Sequence, residues 1–245
     1  MAIGDPIIAF DSLESTNKTA AELLGLSKVQ HGAVIMAREQ TSGRGQRGRS
    51  WTSVAGDDLM ISIVLRPDRL RADVQFELSK IAALAVSEVV GALVGGAVRI
   101  KWPNDILVGR NKICGILIKN ELIGELVMTS ILGIGINVNS TEYPEDLVAT
   151  SLRNETGRTM DLQIVLADLC RSLDNWYSRW EGGGDLSMAF AERLWMRGRW
   201  AQFLLDDHPT LARPVDVDRH GRLIIEQEGG EVAAYGLDRL RFAPR

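Results

Sequence analysis

Val98-Arg99-Ile100-Lys101-Trp102-Pro103-Asn104-Asp105-Ile106-Leu107-Val108-Gly109-Arg110-Asn111-Lys112-Ile113-Cys114-Gly115-Ile116-Leu117-Ile118 decides the fold class. One strand runs from Val98 and stops at Pro103. A second run, Ile106-Leu107-Val108, meets Gly109-Arg110-Asn111 and then the apolar stretch that begins at Lys112. Turn residues between two apolar runs predict a hairpin. Asp105 and Lys112 flank opposite sides of that turn, so they can approach across the two strands. After a further turn near residues 121–124, Leu126 to Leu132 forms a strand running into Gly133-Ile134-Gly135-Ile136-Asn137-Val138-Asn139. Successive strands joined by short turns make an antiparallel sheet.

Upstream, Ile7-Ile8-Ala9-Phe10 and residues 33–37 read as strands, and Leu59-Met60-Ile61-Ser62-Ile63-Val64-Leu65 as one buried on both faces. An amphipathic helix carries Ala20, Ala21, Leu23 and Leu24, with Ser15 or Thr16 as its N-cap. A long apolar helix over residues 76–93 ends at Gly95-Gly96. The expectation is α+β: a mixed or antiparallel sheet flanked by helices, with those helices to one side.

Downstream, Ile164, Leu166, Leu169, Leu173 and Trp176 mark a helix over residues 162–180. Gly182-Gly183-Gly184 breaks it, and a second helix is expected over residues 186–196. Short alternating segments follow at residues 214–217, 223–225, 232–235 and 240–242, separated by glycine turns. The chain therefore divides into a main domain, 1–198, and a small C-terminal β domain, 199–245. A module of that size is expected to pack on its neighbour. Residues 200–213 give no clear strand boundaries.

Of 245 residues, 45% are hydrophobic and 24% charged, the range of soluble globular proteins. The net charge of −4 supplies no global attraction for nucleic acid. Cys114 and Cys170 stand far apart in apolar surroundings, and His31, His208 and His220 are scattered. That spacing predicts no disulfide framework, no metal site and no His-dependent triad. With no N-terminal signal and no long apolar span, a reducing cytoplasm is the expected compartment.

A second stretch, Gln40-Thr41-Ser42-Gly43-Arg44-Gly45-Gln46-Arg47-Gly48-Arg49-Ser50-Trp51, places three glycines and three arginines in seven residues. Glycine lets backbone N–H groups approach a ligand, and arginine brings planar donors suited to carboxylate and phosphate. Such a loop can wrap a polyanion, and its scarcity of apolar anchors predicts mobility when empty. By itself it also reads as a solvated basic turn or an RGG-like nucleic-acid segment. In an acidic chain the arginines are better aimed at a small anion. Lys101, Asn104, Asp105, Lys112 and Asn137, placed where strands enter or leave an apolar sheet, read as the lining of a pocket.

Five motifs in order now resemble those of the biotin protein ligases: Ser15-Thr16-Asn17, the Gly-Arg loop ending in Trp51, Lys101 to Asp105, Lys112 to Leu117, and Gly133 to Asn137. They span residues 15–139, and the C-terminal module looks more loosely like that family's small SH3-like domain. The resemblance implies the class II synthetase-like catalytic domain of biotin and lipoate ligases. It further implies a two-step reaction using biotin, ATP and Mg²⁺. Biotin carboxylate attacks the α-phosphate to give biotinyl-AMP and pyrophosphate; a lysine of a biotin carboxyl carrier domain then attacks the mixed anhydride and AMP leaves.

By the same resemblance, Lys112, Asp105 and Arg44 are catalytic. Lys112 bridges the biotin carboxyl and the α-phosphate, and Asp105 orients or deprotonates the acceptor lysine. Ser15, Thr16, Asn17, Gln40, Gly43, Arg44, Gly45, Gln46, Lys112 and Gly115 are assigned to biotin. Arg47, Arg49, Trp51, Asn104 and Asn137 are assigned to the nucleotide, and no residue to a metal. The family usually reads Gly-Arg-Gly-Arg in the loop, whereas Gln46 stands here, with Arg47 next. Too few residues precede the first strand for the helix-turn-helix of some relatives, so DNA binding is not expected. The partner is a biotin carboxyl carrier protein, with monomer and homodimer both open. A lipoate or octanoate ligase or transferase of the same fold is the alternative, and a non-catalytic basic-loop binding protein a third reading.

Overall fold

A computed structural model describes residues 2–145 and 147–243. Seven strands form the main sheet: β1 (Ile7–Leu13), β2 (Val34–Gln40), β3 (Leu59–Leu65), β4 (Val98–Lys101), β5 (Asp105–Val108), β6 (Asn111–Ile123) and β7 (Leu126–Ile136). Their order is β1-β2-β3-β7-β6-β5-β4. β1 and β2 are parallel, joined by helix α1 (Thr16–Gly25); the other neighbours are antiparallel. The sheet is mixed, and the fold is α+β.

Alternation along β3 sorts the two faces. Leu59, Ile61, Ile63 and Leu65 point into the large core beneath α2 (Phe76–Val94), while Val64 packs against Ala20 of α1. Helices therefore cover both faces rather than one side. α2 is apolar nearly all round because it lies between the sheet and α4 (Leu162–Glu181). Gly95, left-handed at φ 65°, ends it.

The β5–β6 hairpin carries a bulge. Ile106 pairs with Cys114, but Leu107 pairs with Lys112, leaving Ile113 as the extra residue. In an unbroken ladder Lys112 would share the core face with Cys114. The bulge turns both Ile113 and Cys114 into the core and Lys112 to the opposite face, beside Gly115.

Several boundaries differ from the sequence expectation. β6 continues to Ile123, and the turn is Gly124-Glu125 rather than residues 121–124. Glu121 stays in the strand, where it accepts a hydrogen bond from Thr129 at 2.9 Å. α3 (Leu152–Thr156), capped by the Ser151 side chain, was not expected. α5 (Ser187–Arg193) stops short of residue 196, because the Trp195 N–H leaves the helix to bond Ile100 O of β4 at 2.8 Å.

A second, wholly antiparallel sheet comprises β8 (Ala201–Leu205), β9 (His208–Val217), β10 (Leu223–Gln227), β11 (Val232–Tyr235) and β12 (Leu240–Phe242), in the order β11-β10-β9-β8-β12. β8 and the first half of β9 fill the stretch whose sequence gave no boundaries. Their turn is Asp206-Asp207, both with positive φ (49° and 64°), the geometry of a two-residue hairpin loop. Phe203, Val217, Leu223, Ile225 and Leu240 join the main core, and Trp102 Nε1 donates to Gly221 O at 2.9 Å. No helix among the described residues is long and apolar enough to cross a membrane. Both cysteines are unpaired and buried, and burial raises both thiol pKa values.

Candidate active site

On the sheet face opposite α2 lies a cleft of about 570 Å³, within the range of small-molecule sites. Its floor is built from glycines at alternate positions, where a side chain would fill the space. A β-carbon on Gly115 would stand 2.9 Å from the Trp51 ring, and one on Gly135 would stand 2.6 Å from it. One on Gly133 would collide with the Asn17 amide. The indole of Trp51 therefore rests on bare backbone, with Lys112 Nζ 5.5 Å from its ring centroid. Its Nε1 is buried and has no hydrogen-bond partner among the described residues.

At one end, polar side chains on apolar elements form a network. Ser15 is the N-cap of α1 by backbone conformation, but its hydroxyl makes no capping bond. Gln40, from the end of β2, does that work: its Oε1 accepts from Thr16 N–H at 2.8 Å and from the Thr16 hydroxyl at 3.1 Å. Ser62 Oγ, on the pocket face of β3, lies 2.8 Å from Thr16 Oγ1 and 2.6 Å from Asn17 Oδ1. Asn17 Nδ2 donates to Leu117 O at 3.1 Å. Ser62 was missed in the sequence reading; its signal was a lone hydroxyl inside a seven-residue apolar strand.

In the middle, Lys112 Nζ is 2.7 Å from Asp105 Oδ1, both half-buried. Above them the Gly-Arg loop is paired with itself rather than splayed: Trp51 N–H donates to Gly43 O at 2.9 Å and Gly45 N–H to Arg49 O at 2.7 Å. A 3₁₀ turn, Gln46–Gly48, caps this small ladder, with Arg47 left-handed at φ 55°. Arg44, Arg47 and Arg49 are exposed and form no ion pair among the described residues. Gly43 alone of the assigned residues lies behind the lining, where a β-carbon would strike the carbonyl of Trp51.

Two asparagines brace backbone: Asn104 Nδ2 donates to Ile116 O, next to the Leu117 that Asn17 holds, and at the far end Asn137 Nδ2 donates to Thr150 O, each at 2.9 Å. The sequence reading did not anticipate the segment that closes this end, including Tyr143, Leu147, Val148 and Ala149, or the contribution of Arg241 and Phe242 from the C-terminal sheet. Asp58 was also missed. It is buried behind this wall, where desolvation raises its carboxyl pKa and hydrogen bonds from Ser140 and Val138 offset part of that rise.

Among the described residues seven cationic side chains line the cleft, Arg110 and Arg241 adding to the five predicted, against one carboxylate, Asp105. In a chain of net charge −4 this concentrates positive potential in one cavity and suits a polyanionic ligand. Among the described residues no cluster of His, Cys, Asp and Glu could hold a metal ion.

The sequence profile of the biotin/lipoate A/B protein ligase family matches residues 9–137, more than half of the chain. A biotin--[acetyl-CoA-carboxylase] ligase of Paracoccus denitrificans is 34% identical over 218 residues, covering 85% of this chain and 87% of that protein. A bifunctional ligase/repressor BirA of Bacillus spizizenii is 36% identical over 71% of this chain, and this chain spans only 54% of that longer protein. Among solved structures, biotin protein ligase from Aquifex aeolicus in complex with biotin and ATP superimposes with a TM-score of 0.80 at 26% identity, covering 97% of this chain and 99% of that one. The chain belongs to the biotin/lipoate A/B protein ligase family.

Proposed function

We infer that this protein is a biotin--[biotin carboxyl-carrier protein] ligase, forming biotinyl-5′-AMP from biotin and ATP and passing biotin to a carrier lysine. The observation that carries this reading is the cationic cleft, with Lys112 turned onto its glycine floor by the strand bulge. In the first step a biotin carboxylate oxygen bonds to the α-phosphorus and pyrophosphate leaves. Two anions must meet, and negative charge builds on the phosphorane, so fixed cations lower the barrier. Lys112 is placed to span both anions, and Arg44, Arg47 and Arg49 to hold carboxylate and phosphates. In the second step a neutral lysine amine attacks the acyl carbon and AMP leaves. Asp105 is the group to orient that amine or take its proton.

Ser15, Thr16, Asn17 and Gln40 would hold the ureido ring of biotin, and Asn104 and Asn137 would flank the nucleotide. Trp51, resting against Gly115 and Gly135, would lie on the nucleotide side as well. Mg²⁺ would be held chiefly by triphosphate oxygens and water, since the one carboxylate among the described lining residues is already paired with Lys112. Among the described residues the second sheet pairs only with itself, which supports a boundary near 198/199 and a small β domain that completes the cleft wall. The carrier is a biotin carboxyl carrier domain, the compartment the cytoplasm, and the protein a monomer or homodimer.

The test is ATP-dependent labelling of a purified carrier domain with biotin, with lipoate and octanoate in parallel. Biotin labelling supports the reading; labelling by lipoate or octanoate alone replaces it with a lipoate-type ligase, and none with any acid removes both.

A further inference from the structure

One buried carboxylate behind the cleft has no part in the steps above. Asp58, immediately before β3, is 1% exposed. Its Oδ1 accepts from Val138 N–H at 2.8 Å and Ser140 N–H at 3.4 Å, and its Oδ2 from the Ser140 hydroxyl at 2.6 Å. Asn139 N–H donates to the carbonyl of Asp57 at 2.9 Å, so three successive residues are held from one side. Burying a carboxylate is costly unless donors satisfy it, and here its donors among the described residues all come from a single turn.

That turn opens the segment that walls the far end of the cleft. The Tyr143 hydroxyl donates to Ser140 O at 3.3 Å, and Tyr143, Leu147, Val148 and Ala149 line the cavity. The segment is moored again at its other end: Lys112 N–H donates to Val148 O and Thr150 N–H to Lys112 O, both at 2.9 Å. The described residues between Ser140 and Thr150 are thus tied at two points, to Asp58 at one end and to the Lys112 backbone at the other.

We propose that Asp58 is a positioning residue for the nucleotide, fixing the turn 138–140 and through it the wall beside Asn137. This role rests on the nucleotide lying at the Asn137 end, the reading proposed above. Asp58 touches no substrate and acts only through the segment it holds.

The test uses the full chain with Asp58→Ala, Asp58→Asn and Ser140→Ala. It reads KM for ATP in pyrophosphate release, Kd for ATP and for biotin, and amide exchange across residues 138–149. Asp58→Ala should raise the ATP KM about 10-fold or more, the scale of losing one charge-assisted hydrogen bond. Biotin Kd should stay within about twofold, and exchange across 138–149 should quicken. Asp58→Asn should recover most of the ATP affinity, since its carbonyl can accept from both N–H groups and its amide can donate to the Ser140 hydroxyl. Ser140→Ala should weaken ATP a few-fold. An unchanged ATP KM in Asp58→Ala, or a biotin Kd that rises in step with it, overturns the role.

If Asp58→Ala fails to fold, the other two variants decide. Weakened ATP in Ser140→Ala beside near wild-type Asp58→Asn supports the role, and an unchanged Ser140→Ala overturns it. A wild-type chain that binds ATP yet shows no turnover with biotin removes the ligase reading, while the ATP Kd of the same variants still decides on Asp58. A wild-type chain that does not bind ATP removes both.

Discussion

Lys112 and Asp105 meet at 2.7 Å although neither is the other's partner in the ladder: Asp105 pairs with Gly115 and Lys112 with Leu107. The extra Ile113 between them makes the meeting possible. Lys112 is thereby fixed on the pocket face, with Trp51 on its other side. On the proposed function its charge is needed where negative charge develops during adenylation. Lys112→Ala should lower the adenylation rate by about 10²–10³-fold, the scale of losing one preorganised stabiliser. Pyrophosphate release under saturating biotin and ATP measures it, and a near wild-type rate would remove Lys112 from the chemistry.

Gly135 offers a test of the floor. A β-carbon there would lie 2.6 Å from Trp51 Cε2 and 2.7 Å from Cζ2, so Gly135→Ala must push the indole off the sheet or shift the strand. Overpacking of this kind costs about 1–3 kcal/mol. The variant should melt at lower temperature, and its Trp51 fluorescence should move toward that of an exposed indole. Unchanged melting and emission would show that the ring does not rest where it is described.

The hairpin, the buried β3 and the long α2 were legible because apolar period and turn residues agreed there. The five motifs gave the pocket lining because each sits at a strand end, where polar residues interrupt an apolar run. The bulge at Ile113 was not legible: periodicity in an apolar run does not reveal a one-residue insertion in the ladder. Asp58 was not legible either, since its burial depends on Val138 and Ser140, some eighty positions away. Gln40 as the cap of α1 was hidden for the same reason, being supplied from another strand. In the C-terminal sheet, Pro209 and Pro214 obscured β9, yet Asp206-Asp207 was a usable hairpin signal that the alternation count passed over.

On the proposed function, Gln40 joins a capping role and a biotin-binding role in one side chain. Its Oε1 caps α1 through Thr16 N–H. Gln40→Ala should lose about 1 kcal/mol of stability, the scale of an N-cap, and weaken biotin binding as well. Gln40→Glu keeps an acceptor at the helix N-terminus, which favours negative charge, so stability should return. Biotin affinity should not return, because the amide donor is gone. Thermal melting beside biotin Kd separates the two, and equal recovery of both in Gln40→Glu would confine Gln40 to capping.

Gln46 is where this loop leaves the family pattern, and Gln46 and Arg47 are neighbours in the 3₁₀ turn that caps it. Both line the cleft, but only Arg47 brings charge, from a left-handed backbone position at φ 55°. An arginine at position 46 would add a charge-assisted contact to the adenylate phosphate, worth about 1.5–3 kcal/mol when well formed. Without that contact, biotinyl-AMP should leave about 10–100-fold faster than from a relative that carries arginine. Escaped adenylate would then acylate lysines near the enzyme other than the proper acceptor. Gln46→Arg should slow the off-rate of pre-formed adenylate and reduce stray labelling. If Arg47 has taken over the role, its strained backbone is part of how it reaches the phosphate, and Arg47→Ala should speed release strongly while Gln46→Arg changes little. An off-rate that responds to Gln46→Arg and ignores Arg47→Ala establishes weak retention, and the reverse pattern establishes compensation by Arg47.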